Sequence, residues 1–136
     1  MIILNHDYSE KVQYDDTDYP IYRKYCALSS YPNYTAHSHW HDDIELIAVL
    51  FGEMQYNING KVVTLRQGEG IFVNSRQMHF GFSSAKKECY FLCILLHPML
   101  LCATTAYERD YVLPILNHGN LPFVHLRKDI PWQREI

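Results

Sequence analysis

The sequence lacks any long basic cluster, because no run of lysine and arginine exceeds two residues. Its 12 basic and 15 acidic residues give a formal net charge of −3. Modules that bind nucleic acid normally carry a basic stripe that neutralises phosphates. The composition therefore argues against direct DNA binding by this chain.

Long hydrophobic runs are also missing. The longest strongly apolar run, residues 90–96, is far shorter than the ~20 residues that span a bilayer. The N-terminus lacks the charged and apolar regions of a signal peptide. The four cysteines fit no zinc or redox spacing, and we expect buried, reduced thiols. Together these absences predict a cytoplasmic protein with no membrane contact.

The remaining composition predicts one folded domain with a sizeable core. Of the 136 residues, 48% are hydrophobic and 14% aromatic. Short strands are predicted over 21–28, 45–51, 71–74, 88–96 and 121–126, at spacings typical of a β-sandwich or barrel. Residues 45–51 form a near-continuous apolar run, which predicts a strand covered on both faces.

The clearest local signal is a β-hairpin centred on Asn59-Gly60, a pair that tolerates positive φ at both turn positions. Counting outward pairs Tyr56 with Val63 and Met54 with Leu65. Met54 and Tyr56 thus share one face of the hairpin. They either line a cavity or pack in the core.

The predicted barrel, residues 21–96, lies between two other segments. Residues 1–20 are expected to form an N-terminal arm with at most a short strand around 11–14. Residues 97–136 are expected to form a helical tail. The chain ends where a further helix is beginning, so we expect it to be the front part of a longer protein.

Within the tail, Tyr107, Tyr111 and Ile115 recur every four residues, which predicts a helical stripe. Pro114 should kink or break this helix. The stripe is expected to pack against the barrel. Asp129 is a candidate cap for a helix that starts near Pro131.

The main candidate site consists of His39, His41, Glu45 and His79. Side chains two residues apart on a strand share a face, so His39 and His41 point the same way. On a straight strand Glu45 would lie about 13 Å beyond His41, at roughly 3.3 Å per residue. Convergence therefore requires a bend, which we predict at Asp42-Asp43.

This cluster has three interpretations. Imidazole and carboxylate groups suit a divalent ion such as Zn, Ni or Fe. The same groups could hydrogen-bond a polar effector without metal, or form a structural polar network. His37 shares the face of the histidines and could contact a ligand near the barrel mouth. Trp40 should face away from them, toward outer packing or an interface.

The spacing His39-x-His41-x3-Glu45-x6-Gly52 resembles the first motif of the cupin superfamily. Gly68-x5-Asn74-x-Arg76-x2-His79 resembles the second, although that motif usually has Pro and Gly where Asn74 and Arg76 stand. The resemblance implies a double-stranded β-helix barrel. It also implies that His39, His41, Glu45 and His79 occupy metal-ligand positions.

A longer resemblance is to the N-terminal sensor domain of AraC-type bacterial transcription regulators. It rests on 39–46, 52–53, 59–61, 68–74 and 78–79, and continues through 97–101, 111–116 and 121–123. The resemblance implies a small-molecule effector, often a sugar, bound in the barrel without a required cofactor. It also implies a homodimer formed by the tail helices, and DNA binding only through a C-terminal helix-turn-helix domain absent from this chain.

We therefore predict a mostly-β, cupin-like barrel with appended α-helices that binds an effector and dimerises. Two other functions remain open. The chain could be a metal-dependent cupin enzyme, such as a dioxygenase or isomerase, or a self-contained binding or storage module.

Overall fold

The computed structural model describes residues 2–16 and 18–136. Met1 and Thr17, both in the predicted arm, lie outside the described residues. Those residues form seven strands and three short α-helices. The strands are β1 (Ile21–Ala27), β2 (Ile44–Ile58), β3 (Lys61–Arg66), β4 (Gly70–Val73), β5 (His79–Phe82), β6 (Cys89–Leu96) and β7 (Phe123–Leu126), and the helices are α1 (Thr105–Tyr107), α2 (Leu113–Leu116) and α3 (Pro131–Arg134).

Strand β2 is the centre of the fold. Its first half pairs with β6 and β4, in the strand order β1-β6-β2-β4-β7. Its second half pairs with β3 and β5. The predicted hairpin is confirmed, with Tyr56 opposite Val63 and Met54 opposite Leu65. One long strand therefore belongs to both sheets that enclose the interior.

A register shift in the middle of β2 changes which side chains face inward. The pairing with β6 is irregular between Val49 and Phe51. Buried positions are odd-numbered up to Val49 and even-numbered from Met54 onward. One extra residue reverses the side-chain alternation of a strand. The shift therefore lets both halves of β2 aim residues into the same interior.

The prediction that 45–51 is covered on both faces is wrong. Leu50 and Phe51 are 47% and 54% exposed. The segment alternates between buried and exposed residues, because only one face of the sheet packs against the interior. The core lies between the sheets and includes Leu28, Ile47, Val49, Met54, Tyr56, Ile58, Leu65, Ile71, Val73, Cys89 and Phe91.

The tail is less helical than predicted. α1 and α2 are joined by a π-helical turn, Glu108–Val112, that ends two residues before Pro114. Proline has no N–H for the regular i to i−4 bond, and a wider turn absorbs that loss. β7 extends the sheet beside β4. Among the described residues, no helix has the length and apolar character to cross a membrane.

Two expectations for the tail are wrong. The stripe of Tyr107, Tyr111 and Ile115 does not pack against the barrel, because these side chains are 46%, 63% and 48% exposed. The last helix, α3, has Ile130 as its N-cap and makes no side-chain capping bond. Asp129 instead accepts hydrogen bonds from the Arg127 guanidinium.

The N-terminal arm has no strand at residues 11–14, but it is docked on the barrel. Ser9 forms a parallel bridge with Trp40, and Trp40 Nε1 donates to the carbonyl oxygen of Asp7 (2.9 Å). Tyr14 donates to the carboxylate of buried Asp43 (2.9 Å). The outward-facing Trp40 thus packs against the arm.

A substitution at Gly52 can test the importance of the irregular segment of β2. Its φ is +78°, and a Cβ there would lie 2.5 Å from the carbonyl oxygen of Glu88. We expect Gly52→Ala to lower the free energy of unfolding by about 1–3 kcal/mol, measured by urea denaturation. Gly60→Ala has positive φ but open space and should cost less. Equal losses in both variants would show that the backbone contact is unimportant.

Candidate functional site

The structure brings together the four residues predicted to form the site. One ligand atom from each of His39, His41, Glu45 and His79 lies within 4.8 Å of the others, and all four residues are buried. His79 lies 34 residues beyond Glu45 in the chain, yet its Nε2 is 3.2 Å from Glu45 Oε2. The prediction that the side chains of the two motifs converge is therefore confirmed.

Backbone bonds explain why His79 reaches the other histidines. His39 and His79 exchange hydrogen bonds between their N–H and C=O groups, at 3.1 and 2.9 Å. The predicted bend at Asp42-Asp43 is present. It is held from outside by Ser75, which donates to the Asp42 carbonyl, and by Arg76, which donates to the Asp42 carboxylate. The bend brings Glu45 back beside His41.

Each histidine has its ring fixed by a backbone carbonyl. The Nδ1 atoms of His39, His41 and His79 lie 2.7, 3.0 and 2.7 Å from carbonyl oxygens two residues away in sequence. A carbonyl only accepts, so each Nδ1 carries the hydrogen. In the neutral ring Nε2 then has a free lone pair, and all three Nε2 atoms turn toward the carboxylates of the site.

Glu45 is the negative centre of the cluster. Burial raises its pKa, but the positive charge of His79 and the Nε2 hydrogen bonds that His41 and His79 donate when their rings are protonated outweigh burial and hold that pKa well below the usual value. Burial also lowers the pKa of His41, whereas Glu45 raises it above normal overall. For His39, burial and the charge of His79 lower the pKa to about 4.

Tyr56 completes the surroundings of Glu45. Its hydroxyl donates to Glu45 Oε1, and its ring stacks on His79 at 6.0 Å between centroids. The pKa of Tyr56 is raised well above normal by burial and by the charge of Glu45, so the hydroxyl stays protonated and donates. Tyr56 therefore contacts two members of the cluster.

The other two predicted ligand-binding residues lie apart from the cluster. Met54 is fully buried among the core residues, and its sulfur faces Gly81. His37 is exposed, although its carbonyl accepts from His39. Neither residue is among those that line the cavity beside the cluster.

A small cavity of about 50 Å³ adjoins His39, Glu45 and Tyr56. Sequence reasoning missed most of its lining, which includes Glu10, Tyr22, Cys26, Leu28, Tyr31, Phe91 and Cys93. Alternation along β1 and β6 could have suggested some of these residues. Nothing in the sequence signals Glu10, whose Oε2 lies 3.5 Å from His39 Nε2. Burial raises the pKa of Glu10.

The donor set fits a divalent transition-metal ion. Three imidazole nitrogens and one carboxylate form a mixed N/O set of the type that Zn, Ni and Fe accept. The bonds at Nδ1 are the outer interactions that orient metal-binding histidines and fix their tautomers. The four residues therefore supply a donor set that could hold such an ion.

Fold and site together define a cupin-type barrel with a centre of three histidines and one glutamate. A family model described as AraC-like ligand binding domain matches residues 24–121, and the chain belongs to that family. Over 98 residues it is 29% identical to an uncharacterized HTH-type transcriptional regulator, YdeC, from Bacillus subtilis. The match covers 72% of this chain but only 33% of that regulator.

Solved structures confirm the predicted cupin-like fold. A Cupin 2 conserved barrel domain protein from Salinispora arenicola matches with a TM-score of 0.51 at 12% identity, over 63% of this chain and 71% of that chain. The plu4264 protein from Photorhabdus luminescens matches with a TM-score of 0.51 at 17% identity, over 71% and 80%. A salicylate 1,2-dioxygenase from Pseudaminobacter salicylatoxidans matches with a TM-score of 0.50 at 20% identity, over 55% and 21%.

The Tyr56 hydroxyl should contribute measurably to folding. Tyr56→Phe leaves one buried oxygen of Glu45 without its donor, so we expect a loss of about 1–3 kcal/mol in the free energy of unfolding. Urea denaturation in the presence of a chelator measures this without interference from metal. Tyr25→Phe, on the exposed side of β1, is the matched control and should leave stability unchanged. An equally small change in both variants would contradict the proposed role of the hydroxyl.

Proposed function

We propose that this chain is the effector-binding and dimerisation part of a cytoplasmic AraC-type transcription regulator. The observation that carries the proposal is the buried cluster of His39, His41, Glu45 and His79, which adjoins a cavity covered by the N-terminal arm. Family membership and the regulator relative support the same role. DNA binding would then reside in a separate helix-turn-helix domain.

The size of the cavity bears on the effector. About 50 Å³ holds only a few water molecules, since one water needs roughly 10–15 Å³. A sugar, the type of effector that the family resemblance suggests, needs a larger cavity than the docked arm leaves. Effector binding would therefore favour conformations in which residues 2–16 have moved, and this difference in affinity would shift the population.

We further propose that the cluster holds a divalent ion. His39, His41, His79 and Glu45 would be the protein ligands. Such an ion supplies a Lewis-acid contact for an oxygen atom of the effector. Tyr56 would orient Glu45, and the surrounding apolar residues would exclude water.

Metal binding has a direct test with a matched histidine control. Metal-stripped protein should bind one Zn²⁺ with measurable heat in calorimetry. His79→Gln removes a ligand, so we expect its affinity to fall by roughly 100-fold or more. His37→Gln removes an exposed histidine outside the cluster and should bind like the wild type. If all three proteins give the same titration, the cluster is not the metal site.

The exposed tail stripe supports dimerisation. The rings of Tyr107 and Tyr111 contact each other at 4.9 Å between centroids, tilted by 34°. Exposed apolar side chains nearby in the chain are those of Met99, Leu101, Leu113 and Ile115. Contiguous exposed apolar surface is typical of protein interaction sites. We therefore propose this stripe as the contact between two copies.

A charge at Tyr111 should separate the copies. We expect the wild-type chain to sediment as a dimer. Tyr111→Glu should raise the dissociation constant of the dimer at least tenfold, because burying an unpaired carboxylate in the interface is unfavourable. Tyr25→Glu changes a similarly exposed tyrosine on β1 and should remain dimeric. A dimer that persists in Tyr111→Glu places the interface elsewhere.

The alternative is a metal-dependent cupin enzyme, such as a dioxygenase or isomerase, which the same donor set favours. The two functions differ in turnover. Oxygen uptake by iron-loaded protein with candidate aromatic or diol substrates would support the enzyme, whereas stable binding without product supports the sensor.

A further inference from the structure

The arm inserts one carboxylate into the cavity. The Glu10 side chain is 15% exposed, and its Oε2 lies 3.5 Å from His39 Nε2. Its backbone N–H donates to the carbonyl oxygen of Trp40 (2.8 Å), and Trp40 donates back to Tyr8 (3.2 Å). Because Trp40 is the neighbour of His39, this pairing fixes the arm beside the cluster. The position of Glu10 is therefore set by backbone bonds.

The carboxylates of Glu10 and Glu45 face different imidazole rings. Glu45 Oε2 faces the Nε2 atoms of His41 and His79, whereas Nε2 of His39 faces Glu10. A divalent ion among the three rings would thus have a carboxylate on both sides. Two carboxylates and one divalent ion sum to zero charge, and a buried site favours such balance.

Glu10 also occupies space that an effector would need. It lines a cavity of only about 50 Å³, which it shares with Tyr22, Tyr31 and Cys93. A molecule that reaches His39 from this cavity must move the Glu10 side chain. To preserve the charge balance around a bound ion, the incoming molecule must bring a negative oxygen of its own.

We propose that Glu10 is an internal ligand of the ion held by the cluster, and that the effector is a small carboxylate that replaces it. This inference rests on the metal-binding part of the proposed function. The exchange is carboxylate for carboxylate, so no electrons move and the charge of the ion stays neutralised. The displaced Glu10 moves to solvent, and the pairing between residues 8–10 and Trp40 loosens. The arm thereby reports occupancy of the site.

The experiment uses Co²⁺ as the metal probe and acetate as the ligand probe. Wild-type protein, Glu10→Gln and the exposed control Glu53→Gln are loaded with Co²⁺ and titrated with acetate, and visible absorption reports the ligand set. We expect Glu10→Gln to have an altered Co²⁺ spectrum and to bind acetate at least tenfold more tightly, because acetate no longer competes with the arm. Glu53→Gln should match the wild type. Acetamide, an uncharged analogue, should bind to none of them.

Hydrogen exchange gives a second readout at two reporter amides. The N–H groups of Glu10 and Lys11 donate to Trp40 and Ile3 in the docked arm. Acetate should speed their exchange in Co²⁺-loaded wild type. In Glu10→Gln, which has no carboxylate for acetate to displace, the exchange should be the same with and without acetate. Glu10→Asp keeps the charge but shortens the side chain by one methylene, and it should behave like Glu10→Gln.

The outcomes separate this inference from the proposed function. If Glu10→Gln has the wild-type spectrum and acetate affinity while Co²⁺ binds normally, Glu10 is no ligand and the sensor proposal stands. If Glu10→Asp behaves as wild type, charge alone matters and ligation by Glu10 is excluded. If the wild type does not bind Co²⁺, the metal proposal and this inference fail together.

Discussion

A single irregularity in β2 determines which side chains of that strand face the interior of the barrel. The strand serves both sheets, and the register shift between Val49 and Phe51 reverses its inward face. Glu45 and Tyr56 are eleven residues apart, so on a strand with uninterrupted alternation their side chains would face opposite sides of the sheet. With the shift, the carboxylate and the hydroxyl that donates to it both face the interior. The contact between Glu45 and Tyr56 inside the barrel follows from that one extra residue.

The sequence predicted the elements whose causes are local. The Asn59-Gly60 turn specified its own register, and the spacing of His39 and His41 gave their shared face. Glu45 was predictable only together with the bend at Asp42-Asp43, which the residue types favoured. By contrast, the exposure of Leu50 could not be read from an apolar run, because burial depends on whether another layer covers the sheet.

The position of Glu10 could not be predicted from the sequence, for a different reason. Its place in the cavity depends on pairing between the arm and Trp40, a contact over about thirty residues that no periodicity encodes. The tail stripe shows the same limit. A spacing of four predicts which side chains share a helix face, but it does not say whether the barrel, another copy or solvent meets that face.

The arrangement of charge and lone pairs in the buried polar cluster suits a cation. With hydrogen on Nδ1, three Nε2 lone pairs and the Glu45 carboxylate face one small volume, and lone pairs repel one another. A proton satisfies part of this arrangement, and the raised pKa of His41 reflects that solution. A proton sits on one nitrogen, whereas a divalent ion engages all three rings and the carboxylate together. Backbone carbonyls hold the rings with their Nε2 atoms turned inward, and this arrangement of tautomers supports the divalent ion that we propose.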